Sequence, residues 1–160
     1  MNELQEKIGI LNSDWLMSTR EKLALIGLLH CLKPKKVLEL GYHHGGATKW
    51  LSEFSEQVIT VDVNEFVADA PNLFHNVEAW NCTTLEATSR IKKNNLFFDL
   101  AIIDADHSRQ AVSADINGII NHSDIILMHD YFLYLRQRCN SSKASSSVRP
   151  KFSSSLSALE

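Results

Sequence analysis

The sequence predicts a doubly wound α/β fold with a mainly parallel sheet. Five apolar runs of strand length occur along the chain, and segments of helical period separate most of them. The runs are nearly continuous in Val, Ile, Leu and Phe, which is typical of strands that are covered on both faces. Strands that alternate with helices in this way predict a parallel sheet with right-handed crossovers.

The predicted elements follow one another in a regular order. The strands are KVLEL, QVITVD, NVEAW, FDLAIID and DIILMH. Two amphipathic segments, ATKWLSEF and SRQAVSADINGII, place their apolar residues three and four positions apart and are predicted helices. Each of these two helices follows a strand directly, as the crossover connections of a parallel sheet require.

Two more helices are predicted by capping boxes, in which a hydroxyl residue is followed three positions later by Glu. Ser18 and Glu21 form the first box, and the leucine-rich helix after it ends before Pro34. Thr83 and Glu86 form the second box. Both boxes satisfy backbone amides that would otherwise lack acceptors at a helix start.

Composition limits the classes of function. A chain of 160 residues with 44% hydrophobic residues can bury a core of its own. A net charge of -3 supplies no general attraction to nucleic acid or to an anionic membrane. No apolar stretch has the length of a membrane span, and the N-terminus lacks the pattern of a secretory signal. The expected location is therefore the cytoplasm, with neither a membrane nor a nucleic acid as partner.

The chain divides into one domain and a tail. Residues 1–135 contain all the predicted strands and helices, and about 1–33 are expected to form an N-terminal helical lid. Residues 136–160 are rich in Ser, locally basic and poor in large apolar residues. Such a segment buries too little surface to offset its ordering entropy, so a solvated tail is expected.

The stretch VLELGYHHGG places a glycine-rich loop directly after the first strand. Ligands of doubly wound sheets bind at this position, beyond the carboxyl ends of the strands. Gly41 allows a tight turn, and Gly45 and Gly46 let the backbone approach a ligand. A dinucleotide site would have a second glycine where this chain has His43, so a ligand with a carboxylate is favoured over one with a pyrophosphate.

Asp62 ends the second strand at the spacing from Gly41 at which an acid binds ribose hydroxyls. The ligand predicted from these two features carries a carboxylate and a ribose. The alternative for Asp62 is a solvated acid at a strand end.

Four segments in this order, VLELGYHHGGAT, VITVDVNE, FDLAIIDADHS and IILMHDY, resemble the class I S-adenosylmethionine-dependent methyltransferases, which have a Rossmann-like sheet. They are most similar to metal-dependent small-molecule O-methyltransferases whose fourth strand ends in an IDxxH pattern. The resemblance extends from about Ser18 to Tyr131. It implies methyl transfer from S-adenosylmethionine to a small-molecule acceptor.

The resemblance also implies which residues bind the cofactor. Glu39 and the glycine loop would hold its methionine part, Asp62 its ribose, and the segment after the third strand would lie beside its adenine. Trp15 and Met17 lie where relatives close a lid over the cofactor. The full expected set is Glu39, Gly41, Tyr42, His43, Gly45, Gly46, Asp62, Val63, Asn81, Cys82, Thr83 and Asp104.

Two strand ends carry the residues expected to perform the chemistry. By the resemblance, Asp104, His129 and Asp130 would bind Mg2+ or Mn2+, and His107 would act as general base, with Asp104 and His107 as the catalytic pair. His129 replaces a residue that is generally acidic in relatives, which shifts the expected ion from Mg2+ towards Mn2+, Fe2+ or Zn2+. The alternatives are that Asp104 contacts only the cofactor, His107 caps a helix and His129 is a hydrogen-bonded histidine at a strand end.

Relatives of this kind continue past the fifth strand with antiparallel strands, which this chain is expected to lack. Three explanations are open: a homodimer that completes the domain, an altered C-terminus on a normal domain, or a protein that binds the cofactor without catalysis. The main hypothesis is a metal-assisted O-methyltransferase. The alternative is a non-catalytic nucleoside or S-adenosylmethionine-binding module with a partner-binding tail, and a nicotinamide dehydrogenase is third.

Overall fold

The computed structural model describes residues 15–129 of the 160-residue chain. The strands are β1 (Lys36–Leu40), β2 (Gln57–Asp62), β3 (Val77–Asn81), β4 (Phe98–Ile103) and β5 (Ser123–Met128). The helices are α1 (Thr19–Leu32), α2 (Gly46–Phe54), α3 (Ala70–Leu73), α4 (Thr84–Lys93) and α5 (Arg109–Ile119), with a 3₁₀ helix at Glu65–Asp69.

The five strands form one sheet in the order β3-β2-β1-β4-β5, and every neighbouring pair is parallel. The strand order reverses between β1 and β4, which creates a crevice beyond their carboxyl ends. The predicted doubly wound fold is confirmed. Each predicted strand agrees with the observed one to within a residue at either end. The agreement is close because the buried part of each strand consists of the same apolar residues that form the run in the sequence.

Both predicted capping boxes are present. Ser18 Oγ accepts from the Glu21 amide at 3.4 Å, and Glu21 Oε2 accepts from the Ser18 amide at 2.8 Å. Thr83 and Glu86 make the same two contacts at the start of α4. The helix α1 ends at Leu32, where Lys33 adopts a left-handed conformation before Pro34. Local side chains therefore set these helix ends, as their sequence pattern indicates.

Helices cover both faces of the sheet. On one face α1 and α2 contribute Leu29 and Leu51 to a core with β1 and β4. On the other face α4 and α5 contribute Ile91 and Ile119. The expectation that every strand is covered on both faces is wrong for β3 and β5, which include exposed residues such as Ile125, at 37% exposure. These two strands lie at the ends of the described sheet, so fewer neighbours cover them.

Several expectations lie outside the described residues: the tail at 136–160, the lid before Trp15, the lack of antiparallel strands after β5, and the role of Asp130. Between residues 15 and 129, no helix has the length and apolar character needed to cross a membrane.

Candidate active site

A cavity of about 650 Å³ lies beyond the carboxyl ends of β1, β2 and β4. All of the predicted cofactor residues except Gly45 and Asn81 line it. The predicted catalytic residues His107 and Asp104 line it as well, as does His129. The structure therefore brings together, in one cavity, residues that are up to 90 positions apart between Glu39 and His129.

The loop between β1 and α2 has an unusual backbone. Gly41, His43 and Gly45 have positive φ angles of 105°, 50° and 76°. A Cβ on Gly41 would lie 2.3 Å from the carbonyl oxygen of Asp104, so both the φ angle and the close approach of β4 require glycine there. Gly45, rather than lining the cavity, is the N-cap of α2 and brings no capping side chain to the first helical amides.

Asp62 holds this loop in place. Its Oδ2 accepts hydrogen bonds from the amides of Tyr42 and His43, each at 2.9 Å, and its Oδ1 accepts from the amide of Asn64 at 2.8 Å. One carboxylate thus satisfies backbone donors in two loops. This positioning role is additional to the predicted contact with a ribose, which stays a prediction.

Asn81 lies behind the cavity wall. Its Nδ2 donates to the carbonyl oxygens of Asp62, Val63 and Asn64, each at 3.1 Å, which fixes the turn after β2. The next residue, Cys82, does line the cavity, together with Thr83. Of the three residues expected beside an adenine, Cys82 and Thr83 lie at the cavity surface. Asn81 instead holds the turn that forms part of the cavity wall.

Glu39 is a buried carboxylate at the cavity wall, with 1% of its surface exposed. Burial raises its pKa to about 7, and hydrogen bonds from two threonines counteract part of that effect. Thr48 Oγ1 donates to Glu39 Oε2 at 2.5 Å, and Thr60 Oγ1 donates to the same oxygen at 2.6 Å. Both bonds converge on one oxygen of the carboxylate.

Sequence reasoning missed Thr48 and Thr60. A signal for Thr60 exists, because it is a hydroxyl residue within an otherwise apolar strand and pairs in register with Glu39 of β1. A buried acid on one central strand needs donors on its neighbours, so such a residue is a natural candidate. Thr48 lies in the first turn of α2, where only the folded loop brings it to Glu39.

Trp15 and Met17, expected to act as a lid, line the cavity and are each 7% exposed. Trp15 packs closely on the start of α2. A Cβ added to Gly46 would lie 2.5 Å from the Cβ of Trp15. The Lys22 ammonium lies 5.5 Å from the centre of the Trp15 ring, within the range of a cation–π contact. The glycine at position 46 therefore makes room for Trp15.

Asp104, His107 and His129 form a cluster beyond β4 and β5. His129 Nδ1 lies 2.9 Å from Asp104 Oδ1, and the rings of His107 and His129 have centroids 6.1 Å apart. Each of the three residues offers one ligand atom, and these atoms all lie within 4.8 Å of one another. Sequence reasoning predicted His107 as a base beside the expected metal ligands, and the structure brings its imidazole into the same cluster of possible ligand atoms.

Glu21 also approaches this cluster, and sequence reasoning missed it. Its Oε1 lies 3.5 Å from His129 Nε2. The capping box identifies Glu21 as a helix-start residue and gives no indication of a distant partner. Hydrogen bonds from Ser18 lower the pKa of the Glu21 carboxyl, with a smaller contribution from His129.

The structure does not support the capping alternative for His107. The N-cap of α5 is Ser108, whose Oγ accepts from the Ala111 amide at 3.3 Å. The amide of Ser108 in turn donates to Asp106 Oδ1 at 2.7 Å. The imidazole of His107 is exposed at the cavity and is not used for this cap.

The donors of the cluster are one carboxylate and two imidazoles. Mg2+ prefers oxygen donors in an octahedral arrangement, whereas imidazole suits Zn2+, Fe2+ and similar ions. As a candidate metal site, these three donors fit a transition ion better than they fit Mg2+.

A doubly wound parallel sheet with a glycine loop after β1, an acid at the end of β2 and a cavity between them is the arrangement of class I S-adenosylmethionine-dependent methyltransferases. A family model described as a methyltransferase domain matches residues 38–131, more than half of the chain. The chain therefore belongs to this methyltransferase family. No curated protein sequence matches it significantly.

Solved structures share the fold at low sequence identity. An O-methyltransferase from Bacillus cereus in complex with SAH superposes with a TM-score of 0.66 at 22% identity, over 88% of this chain and 70% of that one. A protein assigned as a caffeoyl-CoA O-methyltransferase from Staphylococcus aureus gives 0.61 at 18% identity, over 82% and 66%. The MycE methyltransferase of the mycinamycin biosynthetic pathway, in complex with Mg and SAH, gives 0.50 at 19% identity, over 62% and 30%.

Proposed function

We propose that this methyltransferase transfers a methyl group from S-adenosylmethionine to a hydroxyl of a small molecule. The observation that carries the proposal is that the glycine loop and the cluster of Asp104, His107 and His129 line the same cavity. A loop that suits a cofactor and a group of side chains that could accept a proton or hold a metal thus lie around one cavity, which supports a reaction between a bound cofactor and an acceptor there. The SAH in the Bacillus cereus structure supports the choice of cofactor.

The residues of the loop fit the parts of S-adenosylmethionine. A cavity of about 650 Å³ falls in the range of small-molecule and cofactor sites. The buried carboxylate of Glu39 suits the amino group of the methionine part, and the start of α2, without a side-chain cap, suits its carboxylate. Asp62 and Val63 would contact the ribose, and Cys82 and Thr83 the adenine.

The cofactor supplies an electrophilic methyl group on a sulfonium. In the transfer, a bond forms between the acceptor oxygen and the methyl carbon while the carbon–sulfur bond breaks, and its electron pair stays on sulfur. His107 accepts the proton that the acceptor hydroxyl loses, because its imidazole is exposed at the cavity. A divalent cation held by Asp104 and His129 would ease this deprotonation, and Asp130 is a further predicted ligand.

The first test is calorimetric titration of the full-length protein with S-adenosylhomocysteine, followed by a transfer assay against hydroxylated aromatic compounds and sugars. Micromolar binding and methylated product are expected. His107→Ala should lower turnover while the affinity for S-adenosylhomocysteine is unchanged, and His75→Ala, an exposed histidine outside the cavity, should change neither. Absence of binding would contradict the proposal, and binding without transfer to any acceptor would favour the non-catalytic module.

A further inference from the structure

We propose that the indole N–H of Trp15 donates a hydrogen bond to the carboxylate in the methionine part of the cofactor. The inference rests on the proposed function, because it requires that the cavity binds S-adenosylmethionine. It adds a side-chain donor to a site whose other proposed donors to that carboxylate are backbone amides of α2. It also implies that Trp15 distinguishes ligands that carry the amino-acid part from ligands that lack it.

Trp15 carries a buried hydrogen-bond donor that the described residues leave without an acceptor. The residue lines the cavity and is only 7% exposed, and its Nε1 has no hydrogen-bond partner within residues 15–129. An indole nitrogen can only donate. A buried donor without an acceptor lowers stability, so each such group in a folded protein needs an explanation. A ligand that brings an oxygen to this wall of the cavity would supply the acceptor.

The indole packs on the start of α2, where backbone donors also lack side-chain acceptors. A Cβ added to Gly46 would lie 2.7 Å from Trp15 Cγ, an atom of the same five-membered ring as Nε1. The N-cap, Gly45, provides no capping side chain, and the first turn of α2 contains no acidic residue. Gly46 and Ala47, whose amides belong to this first turn, line the cavity. An anion at this position would therefore meet donors from the helix and from the indole.

The charges around this position suit an amino-acid group. The start of a helix is electropositive, and the Lys22 ammonium, 5.5 Å from the centre of the Trp15 ring, adds positive charge beside the indole. The acid Glu39 lies next to the same helix start, because Thr48 in the first turn of α2 donates to Glu39 Oε2 at 2.5 Å. An amino-acid group carries a carboxylate and an ammonium close together. The methionine part of S-adenosylmethionine can thus place its carboxylate at the indole and its ammonium at Glu39.

The test compares two ligands by calorimetry on the full-length protein and its Trp15→Phe variant. S-adenosylhomocysteine carries the amino-acid part, whereas methylthioadenosine has the same adenosine and sulfur without it. Phenylalanine keeps an aromatic ring in the cavity wall and removes the N–H. We expect Trp15→Phe to weaken the binding of S-adenosylhomocysteine about 10-fold, because a bond to a charged acceptor is lost. The affinity for methylthioadenosine should stay unchanged.

Trp80→Phe is the matched control. Trp80 Nε1 already has an acceptor, since it donates to Glu78 Oε1 at 2.6 Å, and Trp80 does not line the cavity. This variant should bind both ligands as the natural protein does. Circular dichroism confirms that each variant is folded.

Nuclear magnetic resonance of the isotope-labelled protein observes the hydrogen bond directly. The chain contains three tryptophans, so three indole N–H signals are expected, and the signal missing from Trp15→Phe belongs to Trp15. We expect S-adenosylhomocysteine to move this signal downfield, because a hydrogen bond to a carboxylate deshields the proton. Methylthioadenosine should not produce this downfield shift.

The outcomes separate this inference from the proposed function. Equal weakening of both ligands by Trp15→Phe would make the indole a packing residue and overturn the inference. An affinity for S-adenosylhomocysteine that the variant leaves unchanged, with no downfield shift of the Trp15 signal, would also overturn it. Either result would leave the proposed function standing, since the cofactor product still binds. Failure of the natural protein to bind S-adenosylhomocysteine would contradict both proposals.

Discussion

The two ends of the cavity are built in different ways. At the loop end, the surface is formed by backbone, with positive φ angles at Gly41, His43 and Gly45. Asp62 and Asn81 hold this backbone through hydrogen bonds to the main chain. At the cluster end, the surface consists of the side chains of Asp104 and His129, which directly follow β4 and β5, and of His107 in the loop before α5. A substitution at the loop end should therefore reduce stability, whereas one at the cluster end should change chemistry and leave stability nearly unaffected.

Gly41→Ala should have the largest effect on stability. Its Cβ would meet the backbone of Asp104 at 2.3 Å, and the positive φ of 105° adds strain, so we expect the free energy of unfolding to fall by about 3 kcal/mol or more. Urea denaturation measures it. The control is Gly27→Ala in α1, where an added Cβ would meet no atom within 4 Å. This substitution should raise the free energy of unfolding by roughly 0.5–1 kcal/mol. Equal effects of the two substitutions would contradict the conclusion that the loop end of the cavity depends on its backbone conformation.

Glu39→Gln should remove a pH dependence of stability. The folded protein keeps a proton on Glu39 up to a pKa of about 7, whereas the unfolded chain releases it near the ordinary value of 4.5. Stability therefore falls as the pH rises through this window, by up to about 3 kcal/mol. Urea denaturation at about pH 5 and about pH 8 should show a smaller decrease for Glu39→Gln than for the natural protein.

Glu53→Gln, an exposed acid on α2, is the matched control for this pH experiment. It should retain the pH dependence of the natural protein. If Glu39→Gln retained it too, the titrating group would not be Glu39.

Asp62→Ala should have an intermediate effect on stability and a clear effect on the ligand. The amides of Tyr42, His43 and Asn64 would lose their acceptor, which we expect to cost about 1–3 kcal/mol of unfolding free energy. If Asp62 also binds the ribose, the affinity for S-adenosylhomocysteine should fall about 10-fold or more. Asp69→Ala, an exposed acid in the 3₁₀ helix, is the control. Lower stability with unchanged affinity would leave Asp62 with its positioning role alone.

His107→Ala should have the smallest effect on stability. The side chain is exposed and the α5 cap is Ser108, so unfolding free energy should change by less than about 0.5 kcal/mol. Thermal unfolding beside the transfer assay tests this. A large loss of stability would show that the cluster end is part of the structural framework, and the contrast between the two ends would fail.

The sequence alone predicted the strands, the capped helices and the glycine loop, because each depends on residues a few positions apart. An apolar run, a hydroxyl three residues before Glu, or a glycine after a strand acts through local backbone and side-chain preferences. The same local signals missed α3 and the 3₁₀ helix, which are too short to show a period. They also gave no information on which strands lie at the ends of the sheet.

Only the tertiary structure decided which polar groups meet. Thr60 reaches Glu39 because β1 and β2 pair in one register, and Asp62 reaches the loop amides because that loop folds back over β2. Glu21 reaches His129 across 108 residues of sequence because α1 packs near the end of β5. The sequence determined the residues available at the strand ends. Their distances depend on the packing of whole elements, a property of the entire chain that no short segment encodes.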